Sequence, residues 1–202
     1  MNIGVFGGTF DPIHIGHLIV AEKVRTEIGL SEVFFAPAGQ PWLKASRPIS
    51  SALHRLEMIR LAILTNPYFK ISTIEVDRPG PSYTVDTMTI LQQQLGAEAK
   101  LFFILGSDAL AELPQWKEPS RLIQMCHLVA FTRPGTALPL KSLEAVIPGI
   151  SRRVIFVDIP QVDISATQIR QRVAQGASIR YLVPEAVERY ILEHKLYTET
   201  SI

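Results

Sequence analysis

The chain is short of several features, and each shortage closes off a function. Its 202 residues include one cysteine, Cys126, so no internal disulfide framework can form and a reducing compartment is expected. Charge is almost balanced, with 20 Lys and Arg against 19 Asp and Glu and a formal net charge of +1. A protein whose main task is wrapping nucleic acid carries a larger positive excess. No apolar run reaches membrane-spanning length, and the N-terminus lacks the basic, apolar and small-residue segments of a secretory signal. A cytoplasmic protein with neither nucleic acid nor membrane as partner is the expectation. The chain also lacks repeats, low-complexity tracts, a Walker A loop, the dinucleotide glycine spacing and a convincing nucleophile–base pair.

What it has is concentrated near the start. Gly7-Gly8-Thr9-Phe10-Asp11-Pro12-Ile13-His14-Ile15-Gly16-His17 follows a short apolar run and opens an amphipathic segment near His14. That order is strand, glycine turn, helix N-terminus, which turns backbone N–H groups and a positive dipole end toward a phosphate. Gly7 and Gly8 allow close backbone approach. His14 and His17 are placed to share the first-turn face of a helix, and Gly16 is expected to leave room for a ligand. Two histidines alone do not make a zinc site, which needs three or four ligands. No resident metal is expected.

Apolar runs at residues 3–6, 33–36, 69–76, 101–105, 128–131 and 154–157 read as strands. Between them lie helical stripes: Leu18, Ala21, Val24, Ile28; Leu53, Leu56, Ile59, Ile63; and Val85, Met88, Leu91, Leu95. The alternation predicts an α/β, Rossmann-like doubly wound fold, a mostly parallel sheet with helices on both faces. A chain of this length that is 47% hydrophobic can bury one substantial core, so residues 1–202 are expected to form a single domain. Its C-terminal part, from about residue 160, carries a second phosphate-type segment and a terminal helix after Pro184. Loops at 39–50, 77–82 and 133–140 are the candidates for substrate contact.

That second segment is Ile164-Ser165-Ala166-Thr167-Gln168-Ile169-Arg170. Ser165 and Gln168 spell a capping box, and the same helix N-terminus with its hydroxyls and Arg170 can grip phosphate. Pro81-Ser82-Tyr83-Thr84 reads by default as a capped loop before a helix. Asp108 follows Gly106 at a strand end, where an acid either caps a helix or binds a ligand hydroxyl. Trp116 sits in a polar setting and could cover a cationic ring. Cys126 reads as an inert core thiol, and His54, His127 and His194 match no motif.

Thr-Phe-Asp-Pro followed by His-x-Gly-His resembles the signature of the nucleotidyltransferase superfamily related to class I aminoacyl-tRNA synthetases. The whole chain is similar to the bacterial nicotinate-mononucleotide adenylyltransferases. The resemblance implies transfer of AMP from ATP to nicotinate mononucleotide, with Mg²⁺ travelling with ATP. It implies ATP contacts at Gly7, Gly8, Thr9, Phe10, His14, His17, Gly106, Asp108, Ile164, Ser165, Thr167 and Arg170, with His14, His17 and Arg170 catalytic. It assigns the mononucleotide to Lys44, Tyr83, Thr84 and Trp116. Leu43 stands where the family often has His. Competing readings are a phosphopantetheine-type adenylyl- or cytidylyltransferase, a tRNA synthetase fragment (though no Lys-Met-Ser-Lys-Ser loop is present), and a non-catalytic nucleotide-binding protein. Both substrates are small molecules, and a homo-oligomer is left open.

Overall fold

The computed structural model describes residues 1–41, 49–132, 140–160 and 162–198. Six strands, β1 (Asn2–Gly8), β2 (Glu32–Pro37), β3 (Phe69–Ile71), β4 (Lys100–Gly106), β5 (Cys126–Thr132) and β6 (Val154–Asp158), form one sheet in the order β3-β2-β1-β4-β5-β6. Every pairing is parallel. Parallel strands are covered on both faces, which is why their sequences are continuously apolar rather than alternating.

Side chains nevertheless alternate between two cores, because successive residues of a strand point to opposite faces. Phe6, Phe35, Phe102, Ile104 and Val129 enter one core. It is completed by α1 (Ile15–Ile28), α2 (Ala52–Ile63), α8 (Ala166–Ala174) and α9 (Glu185–Glu193). Ile3, Val5, Leu101, Phe103, Leu105 and Leu128 enter the other. There they meet α4 (Thr84–Leu95), α5 (Ser107–Ala111), α6 (Pro119–Met125) and α7 (Leu140–Val146). Among the described residues, no helix is long and apolar enough to cross a membrane.

Two sequence expectations change. The strand expected over 69–76 stops at Ile71, and Ile74–Asp77 form a one-turn helix, α3. Local polar chemistry decides this, since the Thr73 hydroxyl donates to the Asp77 carboxylate at 2.6 Å. The α2 stripe is rotated: Arg55, Met58, Ile59 and Ile63 are buried, while Leu53 is 77% exposed. An arginine thus occupies a core position on that helix. In the 39–50 and 133–140 loops, residues 42–48 and 133–139 lie outside the described set, and with them Leu43, Lys44 and Arg47.

The sheet order reverses between β1 and β4. The chain leaves β1 toward one core and β4 toward the other, so a crevice opens at the carboxyl ends of these strands, where doubly wound sheets bind ligands.

Candidate active site

The first wall of the crevice is the β1–α1 segment. Gly7 and Gly8 are the last residues of β1 rather than a turn, and neither takes a positive φ. They are bare because aromatic rings fill the space: a Cβ would lie 2.7 Å from a Phe103 ring atom at Gly7 and 2.9 Å from Phe10 at Gly8. The left-handed residue is Phe10, at φ 51. Its ring is buried against Phe6, Phe35 and His17, which leaves its backbone for any ligand contact.

His14 is the N-cap of α1 and His17 its third residue. The His14 backbone N–H donates to His17 Nδ1 at 3.1 Å, so a histidine takes the place usually held by Glu or Gln in a capping box. With Nδ1 accepting, the neutral imidazole of His17 carries its proton on Nε2. The two rings stack at 3.6 Å between centroids and 22° between planes. Burial lowers the His14 pKa to about 4, so it is uncharged at neutral pH. Gly16 lines the cleft, and its missing side chain also makes room for His14, because a Cβ there would meet His14 Nδ1 at 3.1 Å. The Ile15 N–H is already given to Leu182 O at 2.9 Å.

The opposite wall is α8. Its capping box forms as the sequence predicts, with Gln168 N–H to Ser165 Oγ at 3.2 Å and Ser165 N–H to Gln168 Oε1 at 3.3 Å. The N–H groups of Ala166 and Thr167 stay without intrahelical partners, as first-turn donors do. Arg170 reaches back from this helix and donates to Asp11 O at 2.6 Å and to Thr167 Oγ1 at 3.3 Å. Arg172 points elsewhere and donates to Ser178 O.

Arg55 and Tyr197 belong to no sequence motif, and Asp11 stands inside the first motif without an assigned role. Arg55, 2% exposed, donates to Thr9 O and Ser50 O, both at 3.0 Å. Burial pulls its pKa down, and the nearby Asp11 charge opposes that. The Asp11 carboxylate, 4% exposed, accepts the Tyr197 hydroxyl at 2.7 Å and the Ser50 N–H at 3.3 Å.

The far end of the crevice is built on α4. Tyr83 is its N-cap and Thr84 its first residue, so the Thr84 and Val85 N–H groups open toward the crevice end of the helix without intrahelical partners. Ser82 ties this loop to the end of β2: its hydroxyl accepts Gly39 N–H at 2.9 Å and Gln40 N–H at 3.1 Å. Behind it, Glu75 accepts the Thr87 hydroxyl at 2.8 Å. Burial raises the Glu75 pKa, against hydrogen bonds from Thr87 and Ser82. A side chain on Gly39 would run into the Glu75 carbonyl.

No cation lies inside residues 81–84, but two stand beside them. Arg78 donates to Tyr83 O at 3.4 Å, and Lys117 lies 4.9 Å over the Tyr83 ring while pairing with Asp86 at 3.0 Å. Trp116 is half-buried and edge-on to Phe103 at 5.9 Å. Gly106 caps α5, so Asp108, exposed in its first turn, is not the cap. Cys126 is buried, and its thiol is pushed up to about 12, which agrees with an inert core residue.

One cleft of about 1070 Å³ runs from the β1–α1 segment and the start of α8 to the start of α4. It brings together every candidate site residue except Lys44, which lies outside the described set. That volume reaches beyond the roughly 300–1,000 Å³ usual for one small ligand.

A cytidylyltransferase-like family model matches residues 5–172. The chain is 50% identical to a probable nicotinate-nucleotide adenylyltransferase of Thermomicrobium roseum, over 97% of this chain and 91% of that protein. A protein of the same description from a Roseiflexus species is 49% identical over 96% of this chain and 97% of its own. Among solved structures, the Plasmodium falciparum nicotinic acid mononucleotide adenylyltransferase complexed with NaAD superposes with a TM-score of 0.79. That match covers 97% of both chains at 20% identity, a likeness of fold.

Proposed function

The chain belongs to the nicotinate-nucleotide adenylyltransferases of the cytidylyltransferase-like family, and from that premise we propose that it joins ATP and nicotinate mononucleotide into nicotinate adenine dinucleotide, as a step of NAD biosynthesis. The observation that carries this is the single cleft with unlike ends. One end gathers His14, His17, Arg170 and the N-termini of α1 and α8, and the other gathers Tyr83, Thr84 and Trp116.

An oxygen of the mononucleotide phosphate attacks the α-phosphorus of ATP. The new P–O bond forms as the bond to the β-phosphate oxygen breaks, and pyrophosphate leaves. A phosphate monoester loses its second proton near pH 6, so at neutral pH the nucleophile arrives ionised and needs no general base. Catalysis comes from aligning the two phosphates in line and from donors aimed at the charge that builds on them. His17 offers Nε2–H, a neutral donor held in one tautomer by the His14 backbone. His14 stacks on it and keeps it in place. Arg170 neutralises the departing β,γ-phosphates, with the first N–H groups of α8 beside it.

Gly106 and Asp108 take the ATP ribose, and Ile164 borders the adenine side. The donors facing the phosphate end are imidazole, guanidinium and backbone N–H. Such a set suits Mg²⁺ that enters held by ATP phosphates and water rather than by a protein cage. At the far end, Trp116 stacks on the pyridinium and the Thr84 and Val85 N–H groups meet its carboxylate; Lys44 serves the mononucleotide phosphate. Pyrophosphate release from ATP with nicotinate mononucleotide tests the reading. Turnover is expected with that acceptor. Faster turnover with phosphopantetheine, or none with any pyridine mononucleotide, overturns it.

A further inference from the structure

A polyphosphate site is an unfavourable place for a carboxylate, yet Asp11 sits in the loop between β1 and α1. Its side chain is spent inside the protein. One oxygen accepts the Tyr197 hydroxyl at 2.7 Å and the other the Ser50 N–H at 3.3 Å. Arg55 secures both flanks through Thr9 O and Ser50 O, and its buried charge faces the acid. The Asp11 carbonyl accepts from Arg170 Nη1 at 2.6 Å.

We propose that Asp11 and Tyr197 are positioning residues for the phosphate clamp: the Tyr197 hydroxyl fixes the Asp11 side chain, and the Asp11 carbonyl seats Arg170. The C-terminal segment thereby sets the geometry at the ATP phosphates, a role that rests on Arg170 meeting those phosphates. Tyr197 is itself well fixed. It is 6% exposed, its hydroxyl lies 3.9 Å from Met58 Sδ, and the chain is turned back just before it by Leu196 N–H to Ile191 O at 3.0 Å. The rival role for Asp11, a direct ligand for the magnesium of ATP, is opposed by its burial at 4% exposure and by the protein donor that each carboxylate oxygen already faces.

The test is a double-mutant cycle of Tyr197→Phe and Arg170→Ala in the full chain, with thermal unfolding recorded for each variant. ATP affinity is read by calorimetry without acceptor, and kcat and both KM values by pyrophosphate release. Tyr197→Phe is expected to lower kcat about tenfold and weaken ATP binding about threefold, with KM for nicotinate mononucleotide within about twofold of wild type. In the Arg170→Ala background the same change should alter neither by more than about 1.5-fold, because the two act through one contact. Additive losses, or equal rises in both KM values at unchanged kcat, overturn the proposal.

The affinity arm needs no acceptor. A wild type inactive on pyridine mononucleotides therefore removes the reaction assigned above and leaves the brace to be judged on ATP binding. Should Tyr197→Phe fail to fold, Asp11 carries the test. Asp11→Asn keeps an oxygen toward Tyr197 and should lose only about threefold in kcat, whereas Asp11→Ala should lose about tenfold or more. Equal losses in the two, or a raised Mg²⁺ requirement in Asp11→Asn, would make the charge itself the working feature and reject the positioning role.

Discussion

The two ends of the cleft are built on different principles. At the phosphate end, the groups that meet charge are drawn from distant parts of the chain and locked by contacts that bury them: Arg170 on Asp11, Tyr197 on Asp11, Arg55 on Thr9. At the pyridine end, the polar links span at most 43 residues: Ser82 to Gly39 and Gln40, Thr87 to Glu75, Lys117 to Asp86. The contrast follows from the task. Charge that appears only in the transition state is stabilised by donors that need not reorganise, while a ring and a carboxylate are recognised in the ground state by a stacking face and a few N–H groups.

The largest effect should come from the phosphate end. His17→Ala is expected to lower kcat by on the order of 100-fold or more in a folded protein, the usual loss for a donor aimed at developing charge. Wild-type kcat in that variant would erase the distinction between the ends. His14 should show itself through pH. Its pKa falls from 6.5 to about 4 on burial, so between those values the unfolded chain binds more protons and stability drops as pH falls. The contribution is intact above pH 6.5, and at most roughly 3 kcal/mol of it is lost by pH 4. Urea midpoints at pH 7 and 4.5 check this, and His14→Gln should lose less on acidification than wild type. An identical acid loss in both would assign it elsewhere. Glu75, raised rather than lowered, pulls the other way: its burial takes stability away as pH rises past the ordinary carboxylate range.

The pyridine end should give smaller changes confined to one substrate. The nicotinate form is expected to exceed the nicotinamide form by at least about tenfold in kcat/KM, because an amide turns N–H donors toward the donors of Thr84 and Val85 and leaves groups unpaired. Arg78 and Lys117 beside the loop act in the same sense. Equal efficiencies would mean that the loop does not read charge. Smallest is Trp116→Ala, expected to raise KM for the mononucleotide about fivefold, in keeping with a cation–π contact of roughly 0.5–2 kcal/mol, with KM for ATP nearly unchanged. Parallel rises in both would make the indole a packing residue against Phe103.

The same divide governs how much could be read from the sequence. Strands and capping boxes are local, so apolar runs gave the sheet, and Ser165 with Gln168 gave the start of α8. His14 and His17 were recognisable because the motif is contiguous. Gly7, Gly8 and Gly16 all line the cleft, but the rings of Phe103, Phe10 and His14 that a Cβ would meet there lie beyond what a local motif can show. Residues 74–76 are apolar enough for a strand, and the Thr73–Asp77 contact that accompanies the backbone bonds of the helical turn carries no apolar signal. Arg55 and Tyr197 were out of reach, since their partners lie far along the chain and no periodicity links them.

The separation of partners also sets an order of assembly during synthesis. Gly39, Glu75, Ser82 and Trp116 have all been made by the time residue 116 is joined, so a growing chain can gather the pyridine end early. Asp11 must wait for Arg170, 159 residues later, and for Tyr197, 186 residues later. Chains emerge at roughly 5–20 residues per second, so the first-made loop stays unbraced for many seconds while the rest is translated. A product truncated before residue 197 would keep much of its sheet and its pyridine subsite but not the finished phosphate clamp.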